Sequence, residues 1–81
     1  MKAKVVVMPK KDVLDPQGKA VGGALHSLGH NEVEDIRVGK IVVLELSDDL
    51  SMEAAAERVT AMCDTLLANP VIEEYTFELE N

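Results

Sequence analysis

The sequence has no tryptophan, one tyrosine, one phenylalanine and one cysteine among its 81 residues. With only Tyr75 and Phe77 as aromatics, the core has to be aliphatic, built from Val, Leu, Ile, Met and Ala. A lone cysteine, Cys63, can neither close an internal disulfide nor hold a zinc ion. It falls at the edge of a helical apolar stripe and reads as a small buried hydrophobe. No histidine is placed near it by sequence, which argues against a catalytic thiol. Positive charge is also scarce: 8 Lys and Arg against 15 Asp and Glu give a net charge of −7. Nucleic-acid binding needs clustered Lys and Arg, and so does docking on an anionic membrane surface, so neither partner is expected. No apolar run approaches the roughly 20 residues of a membrane span. No basic segment followed by an apolar stretch opens the sequence, so no secretory signal is expected and the location reads as cytoplasmic. A chain of this length makes a single domain, residues 1–81, and buries only roughly 60% of the surface its unfolded form exposes.

What is present is patterning. Lys4–Met8, a β-branched run stopped by Pro9, reads as a strand. Asp15 is placed to cap a helix with Pro16 at its first position. Val21, Ala24, Leu25 and Leu28 then fall on one helical face, and Gly29 supplies a left-handed C-terminal cap. Glu32–Val38 reads as a second strand and Lys40–Leu46 as a third, with Gly39 between them as a tight hairpin. Ser47 or Ser51 caps a second helix, whose stripe is Met52, Ala55, Val59, Met62, Cys63 and Leu66 and whose end is Asn69-Pro70. The last strand carries Tyr75, Phe77 and Leu79 on one face and Glu74, Thr76, Glu78 and Glu80 on the other. The order β-α-β-β-α-β predicts an α+β, ferredoxin-like fold: a four-stranded antiparallel sheet with both helices on one face, strands one and three central.

The two strands expected at the centre are apolar on both faces: Val5 and Val7 against Val6 and Met8, Val42 and Leu44 against Ile41 and Val43. An antiparallel sheet with one wet face should alternate. The face without helices is therefore expected to be an apolar patch that another chain buries, most simply in a homodimer or a dimer of dimers.

The stretch Leu14–Gly29, "LDPQGKAVGGALHSLG", suggests phosphate binding at first sight. It fails the test. A P-loop requires G-x-x-x-x-G-K-[ST], but Ala20 follows Gly18-Lys19 and no glycine lies five positions earlier. A dinucleotide loop requires G-x-G-x-x-G directly after a strand, and Pro9–Leu14 intervene. Gly18, Gly22 and Gly23 each cost a helix about 1 kcal/mol relative to Ala, so a packing reason is expected. Gly18 and Gly22, four apart, let another backbone come close. His26 and His30 near the helix end fit the helix dipole better than a metal, for which a third ligand is missing. Arg37 and Lys40 flank Gly39 and are candidate anchors for a partner's carboxylate or phosphate, or simply solvated turn charges. The C-terminal Glu run reads as a solvated edge. No Ser/His/Asp set, supported carboxylate pair or C-x-x-C is present, so no catalytic, cofactor-binding or metal-ligating residues are expected.

"LDPQGKAV" (Leu14–Val21), the "LG" at Leu28-Gly29, "RVGK" (Arg37–Lys40) and "LLANPVIEEY" (Leu66–Tyr75) together resemble the PurS family, in order and spacing, over nearly the whole chain. The family supplies the small subunit of phosphoribosylformylglycinamidine synthase in de novo purine biosynthesis. The resemblance implies a multi-subunit ligase converting formylglycinamide ribonucleotide, ATP and glutamine to formylglycinamidine ribonucleotide, ADP, phosphate and glutamate. It further implies that ATP and magnesium belong to a large synthetase subunit and that a glutaminase subunit releases ammonia. The small subunit would self-associate, bridge the other two and help ammonia pass. On this basis Asp15, Pro16, Gln17 and Gly18, then Arg37, Gly39 and Lys40, then Asn69, Pro70 and Glu73 are expected to be structural or subunit-interface residues. Two rivals share the topology. A regulatory module that binds amino acids would titrate with its ligand. An acylphosphatase-type enzyme wants an arginine after the first strand, where only Lys10 and Lys11 stand.

Overall fold

A computed structural model describes residues 1–81. Three strands form one antiparallel sheet: β1 (Lys2–Pro9), β2 (Lys40–Glu45) and β3 (Glu73–Glu80), in the order β2-β1-β3. Between them lie helix α1 (Pro16–Ser27) and helix α2 (Met52–Met62), the latter continued by a π-helical turn over Cys63–Leu67.

The sheet register explains the core. Val5 lies opposite Val42 and Phe77, and Ala3 opposite Leu44 and Leu79. Directly opposed residues share a face, so these side chains point together toward α2. There Val59, Cys63 and Ala68 close on Ala3, Val5 and Val7. Ser51 starts α2 as expected, its Oγ accepting the Ala54 N–H at 3.1 Å. Val59 is fully buried. Val59→Ala is expected to cost about 2 kcal/mol in urea unfolding, from lost transfer energy and the cavity left behind. A cost below about 0.5 kcal/mol, the size of an ordinary surface change, would show that α2 is not held there.

The four-stranded, two-helix sheet expected from the sequence is not what forms. Residues 33–38, the inner part of the expected second strand, belong to no strand. The reason lies at Gly39. One residue is too short for the two-residue loops that turn hairpins, and those loops need positive φ. The chain's one glycine with positive φ is Gly29, at 97°. The chain therefore does not reverse at Gly39 but passes into β2 close over Val7 and Met8, where a Cβ would collide with the Val7 carbonyl and the Met8 sulfur. In consequence β2 sits at a sheet edge, where the expected topology made it central, and β1 alone is central.

Helix α1 is the second departure. It packs on neither the sheet nor α2 but lies against residues 33–38, and together they project as an arm. The molecule measures 51 × 25 × 14 Å with a radius of gyration of 16.1 Å. A compact chain of this length would have a radius near about 12 Å. The accessible surface is 5804 Å², against about 4,800 Å² for a compact monomer of this mass. The arm thus exposes on the order of 1,000 Å² that a closed fold would bury.

The arm is nevertheless well built locally. Gly29 ends α1 in a Schellman arrangement, with the His30 N–H on the Leu25 carbonyl (2.9 Å) and the Gly29 N–H on the His26 carbonyl (3.0 Å). Gly18 is buried, and a Cβ there would strike the Ile36 carbonyl and the Asp15 carboxylate. Close backbone approach is what the spacing of Gly18 and Gly22 predicted; the neighbour is the chain's own residue 36.

Candidate subunit interface

The three sequence segments singled out above lie at, or are tied to, one end of the sheet. β1 ends at Pro9, paired with Glu73, while Lys40 opens β2 opposite Val7. Arg37 ties the arm to this end: its Nη1 donates to the Pro9 carbonyl at 2.9 Å and to Glu74 Oε1 at 3.2 Å. Gly39 threads the junction. Lys40 is exposed and forms no ion pair.

On the other side of the same junction, the Asn69–Glu73 turn is closed by its own polar groups. The Asn69 N–H donates to Glu73 Oε1 at 2.7 Å, and the Val71 N–H to Asn69 Oδ1 at 3.1 Å. Lys10 locks the turn to the strand, its N–H donating to the Ile72 carbonyl and its Nζ to the Pro70 carbonyl, both at 2.9 Å. Sequence reasoning missed Lys10 and Glu74. Lys10 follows the proline that stops the first strand and Glu74 lies in the C-terminal Glu run, and nothing local marks either as a partner across the junction.

Asp15 links the arm's two halves. It stands at the N-cap of α1, followed by Pro16, and its Oδ2 accepts the Val38 N–H at 2.8 Å. That bond is the main reason its carboxyl lies below the ordinary value of 3.8, with the N–H groups of Gly18 and Gln17 adding to the effect. A carboxyl depressed in the folded form stabilises above its ordinary value and loses that contribution as pH falls through the depressed one. The attachment of α1 to residue 38 is therefore complete at neutral pH and weakens in acid. At the far end of the arm His26 Nε2 meets the Val33 carbonyl at 2.8 Å. Gln17 is exposed on the helix start and makes no hydrogen bond to the junction.

A groove of about 240 Å³ runs between α1 and residues 33–37. Lys11, Lys19 and Arg37 line it together with Asp15, Glu34 and Asp35. Charges of both signs interleave, so it offers no coherent field to an anion or a cation. No group of three or more His, Cys, Asp or Glu side chains is placed to hold a metal. Burial, with Asp64 nearby, pushes the Cys63 thiol up, so it stays protonated and packs as a hydrophobe. The Tyr75 hydroxyl is pushed up by its hydrogen bond to Asp64 Oδ1, at 2.8 Å.

The sheet face opposite α2 is the other feature. Val6 lies opposite Ile41 and beside Met8 and Val43. Ile41 and Val43 are 57% and 54% exposed. Toward the other end the same face becomes charged, with Lys2 and Lys4 between Glu45 on one side and Glu78 and Glu80 on the other. An apolar field rimmed by paired charges is the anatomy of a protein interface.

Comparison with known proteins fits this surface. The family model for PurS, described as phosphoribosylformylglycinamidine (FGAM) synthase, matches residues 2–81. The chain belongs to the PurS family. It is 51% identical over 79 residues to the phosphoribosylformylglycinamidine synthase subunit PurS of Bacillus subtilis, covering 98% of this chain and 92% of that one. Among solved structures it is similar to Methanocaldococcus jannaschii PurS, described as one of the subunits of formylglycinamide ribonucleotide amidotransferase in the purine biosynthetic pathway. That match has TM-score 0.83 and 38% identity, over 99% of this chain and 95% of that one. It is also similar to a chain in the structure of PurLQS from Thermotoga maritima, with TM-score 0.80 and 32% identity over 95% and 93% of the two chains. The PurS resemblance read from four short motifs thus extends along the whole chain. No helix is long and apolar enough to cross a membrane.

Proposed function

We propose that this PurS chain is the small, non-catalytic subunit of a cytoplasmic phosphoribosylformylglycinamidine synthase and that it bridges the ATP-dependent synthetase subunit and the glutaminase subunit. The observation that carries this reading is the span of the family match, residues 2–81, on a chain whose distinctive surfaces are suited to protein contact. The chemistry of the reaction gives such a bridge a task. Ammonia released into neutral water takes up a proton and loses the lone pair it needs as a nucleophile. A subunit that holds the two active centres in fixed relation shortens the exposed path. ATP and its magnesium belong to the large subunit in this reading, and this chain supplies surface and geometry alone.

Two surfaces divide the work. The apolar outer face around Val6, Ile41 and Val43 is buried against another chain, most simply a second copy, in a homodimer or a dimer of dimers. The junction presents Lys40 as the free cation for a carboxylate on a partner subunit. Asp15, Pro16, Gln17 and Gly18, then Arg37, Gly39 and Lys40, then Asn69, Pro70 and Glu73 hold that junction in shape or meet the partner.

Arg37 and Lys40 separate these roles. Arg37→Glu sets a carboxylate beside Glu74 and loosens the arm as well as any docking. Lys40→Glu leaves every hydrogen bond above intact, so it is the cleaner test. It is expected to weaken assembly with the two larger subunits roughly tenfold, the equivalent of about 1.4 kcal/mol. Its thermal unfolding should match the parent chain. Unchanged co-elution of the three subunits in gel filtration across a dilution series would remove Lys40 from the interface.

A further inference from the structure

We draw no further inference here: the strongest candidate, the apolar surface at the end of α2 left by Leu66 of the π-helical turn and Val71 of the turn that follows, 82% and 77% exposed, carries nothing, because nothing in the structure shows what covers it.

Discussion

Gly18→Val is expected to detach helix α1 from residues 33–38. A Cβ at this position collides with the Ile36 carbonyl and stands 2.7 Å from Asp15 Oδ2. Neither is the loose end of a flexible side chain. One is main chain, and the other is fixed by its bond to Val38. Overpacking of this kind costs roughly 1–3 kcal/mol, and the two further methyl groups of valine place this change at the upper end. The loss should appear in urea unfolding and as faster proteolysis within residues 30–38. Gly23 supplies the control. It lies in the same helix, but a Cβ there meets nothing within 4 Å. Gly23→Ala should therefore stabilise by roughly 0.5–1 kcal/mol, the helix preference of Ala over Gly. Opposite signs for two glycines five residues apart would follow from the packing described. Equal effects at both positions would contradict it.

Val43→Asp is the second large expectation, and it acts on assembly. Val43 lies on the outer sheet face and is 54% exposed in the single chain. A carboxylate there stays solvated until a partner arrives, so the fold should lose no more than about 0.5–1 kcal/mol. Burying the same charge in an apolar interface, with only Lys4 opposite to offset it, costs more than leaving it in water, and association should weaken by roughly 1–2 kcal/mol. Sedimentation at micromolar concentration should show a smaller assembly than the parent chain forms, with an unchanged far-ultraviolet dichroism spectrum. Leu44→Asp, one residue along but facing the core, should instead prevent folding. If Val43→Asp leaves the assembly intact, the outer face is not where chains meet.

These two positions also show what local patterning could and could not reveal. The alternation of β3 and the double-sided apolarity of β1 and β2 were legible, because side chains in a strand alternate whatever the topology. The cap at Gly29 and the proline start of α1 were legible because each satisfies groups within its own turn. The fold class was misread at Gly39. "EVEDIRV" has the composition of a strand, but strand pairing is a contact at a distance, and composition does not say which edge receives it. Once residues 33–38 are held by Asp15, Gly18 and His26, the β1-β2-β3 sheet closes without them, and α1 goes with them away from the core. At the junction, Arg37 was marked by its charge in an acidic chain. Its partners, Pro9 and Glu74, come from segments 28 and 37 residues away and carry no local sign.

The bridging role is tested most directly by reconstitution. Glutamine-dependent formation of formylglycinamidine ribonucleotide by the synthetase and glutaminase subunits should be measured with and without this chain. Ammonia-dependent formation by the synthetase subunit should be followed in parallel. The account predicts that the glutamine-dependent reaction requires the chain, while the reaction fed with free ammonia proceeds without it. Equal glutamine-dependent rates in its presence and absence would contradict the account.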